Sequence, residues 1–128
     1  MSMRIALIFA ATGLYCASAL AADFAGTWSG EVELSSGQKL PFTAILAVDG
    51  TEVTGILAGI NGAPDVEIFN GRLDGNLVRF SGVRMIQGNA VNFDYYGVQA
   101  GNNLHFTIHR VGAHGPDALL SSMTTRVE

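Results

Sequence analysis

Cysteine is all but missing from this chain. Cys16 is the only one in 128 residues, so no intramolecular disulfide can form and the fold must rest on its apolar core. Charge is also sparse, at 14% of residues, and the basic side chains (7) are outnumbered by the acidic ones (11). Nucleic acids and anionic membranes select for basic patches, so this balance argues against both as partners. Motifs with a built-in chemistry are lacking as well: there is no nucleophile elbow, P-loop, dinucleotide fingerprint or zinc spacing. With three histidines and one cysteine little is available for metal chemistry. No cofactor, metal site or catalytic residue is therefore expected, and the chain reads as a binding protein rather than an enzyme.

What is present begins with a targeting segment. Arg4 precedes an apolar stretch over residues 5–14 and small residues ending in Ala19-Leu20-Ala21, the anatomy of a secretory signal with an A-x-A cleavage site. Residues 1–21 are read as that signal, with Ala22 opening a single domain over 22–128 and a periplasmic or secreted destination. The apolar core is too short, and too interrupted by Thr12 and Gly13, for a membrane anchor, so no stable span is expected after cleavage. Tyr15, where a lipoprotein signal needs a small residue, argues against lipid attachment at Cys16. Cleavage would leave 107 residues with a net charge of −5, enough for one domain.

Eight glycines recur at intervals of 11 to 13 residues: Gly26, Gly37, Gly50, Gly62, Gly75, Gly88, Gly101 and Gly112. Glycine tolerates the positive φ of tight hairpins, and short strands evenly punctuated by turns argue for an all-β sandwich or barrel. The compact signals Asp49-Gly50, Asp74-Gly75 and Gly101-Asn102 predict two-residue hairpins at one closed end. Gly37, Gly62, Gly88 and Gly112 predict longer connections around a mouth at the other. The expected architecture is an antiparallel up-and-down meander closing as an eight-stranded barrel. Residues 118–128 supply the eighth strand, a short helix being the alternative there.

Pivoting each hairpin on its compact turn predicts the registers and hence the faces. Asp49-Gly50 sets Leu46 opposite Val53 and Ala44 opposite Gly55. Asp74-Gly75 sets Gly71 opposite Val78 and Phe69 opposite Phe80. Gly101-Asn102 sets Gly97 opposite Phe106, Tyr95 opposite Ile108 and Phe93 opposite Arg110. With Trp28, Gly30, Val32 and Leu34 at period two in the first strand, the expected interior is these four and even positions of 40–48. It continues with odd positions of 53–59 and 69–73, then Val78, Phe80, Val91, Phe93, Tyr95, Leu104, Phe106 and Ile108. Interior glycines (Gly30, Gly55, Gly59, Gly71, Gly82, Gly97) mark either sharp curvature around packed rings or a ligand against the wall.

Gly26-Thr27-Trp28 opening the first strand, followed by Val48-Asp49-Gly50, Val53-Thr54-Gly55 and Gly71-Arg72-Leu73-Asp74, resembles the calycins, the lipocalin and avidin barrels. The resemblance implies that Trp28 plugs the base and that a late basic residue, Arg126, packs across it. Avidins line their biotin pocket with several tryptophans and an Asn/Ser set; this chain has one Trp and places Gly30, Val32 and Leu34 inward there, so biotin binding does not follow. The cysteines common in lipocalins are absent, as is the cysteine pair of the small bacterial metalloprotease inhibitors that share a comparable barrel.

Two side-chain groups are candidates for a site. Glu67, Arg84 and Arg110 fall on the inward face near the mouth; buried charges need partners, and guanidinium forks match a carboxylate. With Tyr95 and Phe42 from the inward face they form the candidate ligand-binding set for a small hydrophobic, carboxylate-bearing ligand held within the barrel; strand ends that snorkel to water are the alternative. Asp94, Tyr96, His105, Thr107 and His109 share the opposite face, read as a solvated one. An enzyme using Tyr95 or the Asp94/His109 pair is a third reading. Ile45, Ile56, Ile60, Val66, Ile68 and Val83 are expected outside, where contiguous apolar area marks association. They leave open a homo-oligomer or an interaction module, such as a protease inhibitor or envelope component with a filled barrel.

Overall fold

A computed structural model describes residues 24–115 and 118–127, so the signal read over residues 1–21 lies outside the described residues. The strands are β1 (Gly26–Glu33), β2 (Lys39–Asp49), β3 (Glu52–Leu57), β4 (Val66–Glu67), β5 (Phe69–Asp74), β6 (Leu77–Ile86), β7 (Asn89–Ala100), β8 (Asn103–Arg110) and β9 (Leu119–Val127). Every pairing is antiparallel. β1 joins β9, the meander runs back through β8, β7, β6 and β5 to β3, and a β2–β3 pairing closes the circuit. β4 and β5 both pair with β3 and together occupy one wall position, giving a closed eight-stranded up-and-down barrel. Closure removes the exposed edges that an open sheet would carry. The final segment is the expected strand, paired with both β1 and β8.

The alternation read from the sequence decides the faces almost everywhere. Trp28, Val32, Phe42, Ala44, Leu46, Val53, Leu57, Val78, Phe80, Phe93, Tyr95, Leu104, Phe106 and Ile108 are buried in one cluster. The β7–β8 register is the expected one, with Gly97 opposite Phe106 and Tyr95 opposite Ile108. The other two hairpins are displaced by two residues: Val48, not Leu46, faces Val53, and Leu73, not Gly71, faces Val78. In each the aspartate ends the strand, and Gly50-Thr51 and Gly75-Asn76 form the loop with the glycine at positive φ. A displacement of two leaves every side chain on its face. Gly88 belongs to a tight turn rather than a long connection, because Ile86 faces Asn89 and both Gln87 and Gly88 have positive φ, as a type I′ hairpin requires.

One stretch inverts. Ile68 is 6% exposed and Phe69 41% exposed, the reverse of expectation, and Val66 packs against the core while Glu67 faces solvent. The β5–β6 register shifts between Phe69 and Arg72, and Asn70 has φ 56°. An extra residue in one strand makes a bulge and exchanges the faces on one side of it. Asparagine is the non-glycine residue best suited to that left-handed conformation.

The closed end is built as the resemblance implies. Trp28 is fully buried, and its indole Nε1 donates to the Phe24 carbonyl oxygen at 2.9 Å. The Arg126 guanidinium lies 4.3 Å from the ring centroid and donates to the Ala25 carbonyl oxygen at 2.7 Å, a cation–π contact that caps the plug. Above it, Tyr95 stacks with Phe80 at 5.0 Å and Phe42 at 5.9 Å, while Phe106 meets Phe42 and Phe80 edge-on at 5.2 and 5.8 Å. The barrel is filled at its waist.

The wall glycines serve this packing. A Cβ on Gly97 would come within 2.9 Å of the Phe106 ring and 3.0 Å of Val78. A Cβ on Gly30, Gly55 or Gly71 would overlap the carbonyl oxygen of Met123, Ile45 or Val53 on the neighbouring strand, so these mark backbone curvature rather than a bound molecule. Gly71→Ala should therefore cost roughly 1–3 kcal/mol, as overpacking does. Asn70→Val should cost about 1–2 kcal/mol at the bulge while Asn70→Gly stays near wild type. Urea unfolding followed by circular dichroism measures all three; an Asn70→Val protein as stable as wild type would argue against the bulge.

Candidate functional site

The mouth is framed by the β1–β2 and β3–β4 connections, residues 111–115 after β8 and the tight Gln87-Gly88 turn. A cavity of about 760 Å³ opens there, with Leu34, Phe93 and Leu120 as its apolar floor and Glu33, Ser36 and Arg110 among its polar lining. Arg110 ends β8 opposite Phe93, as the register predicts, and its side chain is exposed. The β8 alternation would carry it inward, but the strand ends at this residue and the guanidinium stands at the rim.

Arg84 is placed differently. β6 alternates Val78, Phe80, Gly82 and Arg84 on the inward face, so the same periodicity that buries two apolar side chains turns a guanidinium into the barrel. It is half-buried. Nη1 donates to the Ala58 carbonyl oxygen at a long 3.4 Å, and Nη2 is buried with no hydrogen-bond partner. Its charge acts on Tyr95. Burial pushes the Tyr95 phenol above its usual value, and the charge of the Arg84 guanidinium pulls it back in part. Phe42 stacks on Tyr95 from the other side.

Arg84, Tyr95 and Phe42 are thus brought together, but Phe42 and Tyr95 are each 2% exposed and belong to the packed waist. Arg110 belongs to the mouth cavity, which Arg84 does not border. Glu67 is separated from the set: the bulge turns it outward opposite Ile56, so it cannot neutralise Arg84 inside the barrel. The sequence did carry a sign of this. Apolar side chains run at even positions through Val66 and Ile68 and at odd positions from Gly71 and Leu73, and such a change of phase marks a bulge.

The second group lies outside, as read. Asp94 faces His109 and Tyr96 faces Thr107 across β7–β8. Asp94 Oδ1 accepts a 2.7 Å hydrogen bond from the Ser81 hydroxyl, a partner that sequence pairing within one hairpin did not include. Among the described residues no three His, Cys, Asp or Glu side chains are grouped to hold a metal ion. No protein-family model, curated protein or solved structure matches the chain; the barrel itself is compatible with a calycin-like one.

The Tyr95 environment has a pH consequence. A phenol whose folded pKa is raised holds its proton more tightly folded than unfolded, so the folded state loses relative stability once the pH exceeds the unfolded value of about 10. Denaturant unfolding at a series of alkaline pH values should show a decline that Tyr95→Phe reduces. Phenolate absorbance should show Tyr95 titrating still higher in Arg84→Leu; an unchanged or lower titration there would contradict the contact.

Proposed function

We propose that this chain is a periplasmic or secreted binding protein of calycin-like architecture that takes a small hydrophobic carboxylic acid. The mouth cavity carries this reading: an apolar floor of Leu34, Phe93 and Leu120 beneath Arg110. Its volume falls within the range of about 300–1,000 Å³ common for ligand sites. The filled waist revises where such a ligand would sit, at the mouth rather than deep in the barrel. Arg110 meets the acid with a charge-assisted hydrogen bond, and the apolar body covers Phe93 and Leu120. Arg84, with its unpartnered Nη2, lies outside the lining of this cavity and adds positive charge at this end of the barrel without touching the ligand. Titration calorimetry with octanoate and octanol tests this. The acid should bind more tightly than the alcohol, and Arg110→Ala should weaken it by about tenfold, the worth of one hydrogen bond to a charged group. Equal binding of acid and alcohol, or binding of neither, would sink the proposal.

A second reading has its own observation. Ile45 and Ile56 are direct cross-strand neighbours on the outer wall, 45% and 40% exposed, with Val83 also exposed. A barrel with a filled waist and an apolar outer strip suits a homo-oligomer or protein-interaction module. Sedimentation of wild type and Ile45→Lys would separate the two: an oligomer broken by the lysine supports association through this strip, whereas a monomer at all concentrations removes the homo-oligomer.

A further inference from the structure

The outer wall holds a site of a different kind, beside the bulge. Where Phe69 and Asn70 swing out, β3 and β5 pair only at Glu52–Arg72 and Val53–Gly71. A groove of about 1030 Å³ opens over the interruption. Within it Arg72 and Arg79 are directly opposite each other on β5 and β6. Like charges in registered cross-strand positions destabilise a sheet, so the pair stands against the local energetics unless something negative lies between them.

The acidic groups at hand offset this from the flanks but do not bridge the two guanidiniums. Glu52 is the cross-strand neighbour of Arg72 on its other side, and Asp49 and Asp94 also border the groove. Asp94 is engaged by the Ser81 hydroxyl. Among the described residues neither Arg72 nor Arg79 has a hydrogen-bond or ion-pair partner. The groove also presents two aromatic side chains that the barrel does not bury. Phe69 is 41% exposed because of the bulge, and Tyr96, opposite Arg79, is 38% exposed. Two guanidiniums with free donors beside two rings form a recognition surface for an oxyanion carried on a flat apolar body.

We propose that this groove binds an oxyanion-bearing aromatic ligand, with Arg72 and Arg79 gripping the carboxylate or phosphate group and Phe69 and Tyr96 flanking the ring. The site is on the opposite face of the wall from the mouth and shares no residue with the mouth cavity, so it stands or falls independently of the proposal made there. The bulge is what creates it: restoring the ladder would draw Phe69 inward and close the groove.

Titration calorimetry with phenyl phosphate, benzoate, inorganic phosphate and benzyl alcohol tests it, with sodium chloride matching ionic strength throughout. Phenyl phosphate or benzoate, or both, should bind saturably and more tightly than benzyl alcohol, and the stronger of the two identifies the anionic group. Phenyl phosphate exceeding inorganic phosphate reports the aromatic contribution. Arg72→Gln and Arg79→Gln should each weaken binding by tenfold or more. In low salt, without ligand, each should also raise Tm, because each removes the like-charge pair. Lysine at either position keeps the charge but loses the fork, and should weaken binding less than glutamine. Heats no larger than chloride produces with wild type, or Arg79→Gln and Arg79→Lys proteins that fold and bind as wild type does, would overturn the proposal.

Discussion

Stacking at the waist of the barrel is the constraint on which the other features depend. Four rings, Phe42, Phe80, Tyr95 and Phe106, meet in alternating stacked and edge-on contacts, geometries that suit the aromatic quadrupole. They come from β2, β6, β7 and β8, so the contact ties distant parts of the wall together without a disulfide. Small residues accommodate them: Gly97 lies against Phe106, and a Cβ on Gly82 would stand 3.6 Å from Tyr95. A wall drawn this tightly around its contents must bend sharply, and Gly30, Gly55 and Gly71 sit where neighbouring backbones leave no space for a side chain.

A filled waist separates two ends with different chemistry. Below it, Trp28 and Arg126 form a closed plug with its indole and guanidinium hydrogen-bonded to backbone carbonyls. Above it, a cation faces inward with one nitrogen buried and unpartnered, and a second stands at the rim of an apolar-floored cavity. Polar groups without partners are costly in a barrel interior, and an inward cation with an unpartnered nitrogen distinguishes the mouth from a mere gap between loops. Nearer the base the buried Thr124 hydroxyl donates to the Leu104 carbonyl oxygen across β8–β9, whereas the Ser122 hydroxyl, opposite Phe106 at the waist, has no partner among the described residues.

How far this could be read from the chain depends on what each local feature specifies. Evenly spaced glycines specify strand number and turn placement, and alternation specifies faces. The two hairpins displaced by two residues show why faces are more robust than registers. Moving the loop from Asp49-Gly50 to Gly50-Thr51 changes every partner but no side chain's orientation. The inward position of Arg84 followed from the same period as Phe80, whereas its influence on Tyr95 does not follow from pairing, since Phe80 is the registered partner of Tyr95. Glu67 faces outward rather than inward as expected, because its face was extrapolated through Asn70 from Gly71 and Leu73. The period holds only while the ladder is unbroken, and the phase change between Ile68 and Gly71 was the visible sign that it was not.

That single break has consequences out of proportion to its size. A bulge costs ladder hydrogen bonds and exposes a phenylalanine, both unfavourable in a wall whose other strands are regular. Ile68 recovers part of this by entering the core and donating its backbone N–H to the Gly55 carbonyl oxygen at 3.0 Å. The remaining cost coincides in space with a registered pair of arginines that each lack a partner among the described residues. Either irregularity alone would be unremarkable as a local imperfection. Together they make one surface in which a lapse of pairing supplies room, an outward ring supplies a contact face and unsatisfied cations supply the attraction, and a bound oxyanion would relieve the repulsion that the fold alone leaves in place.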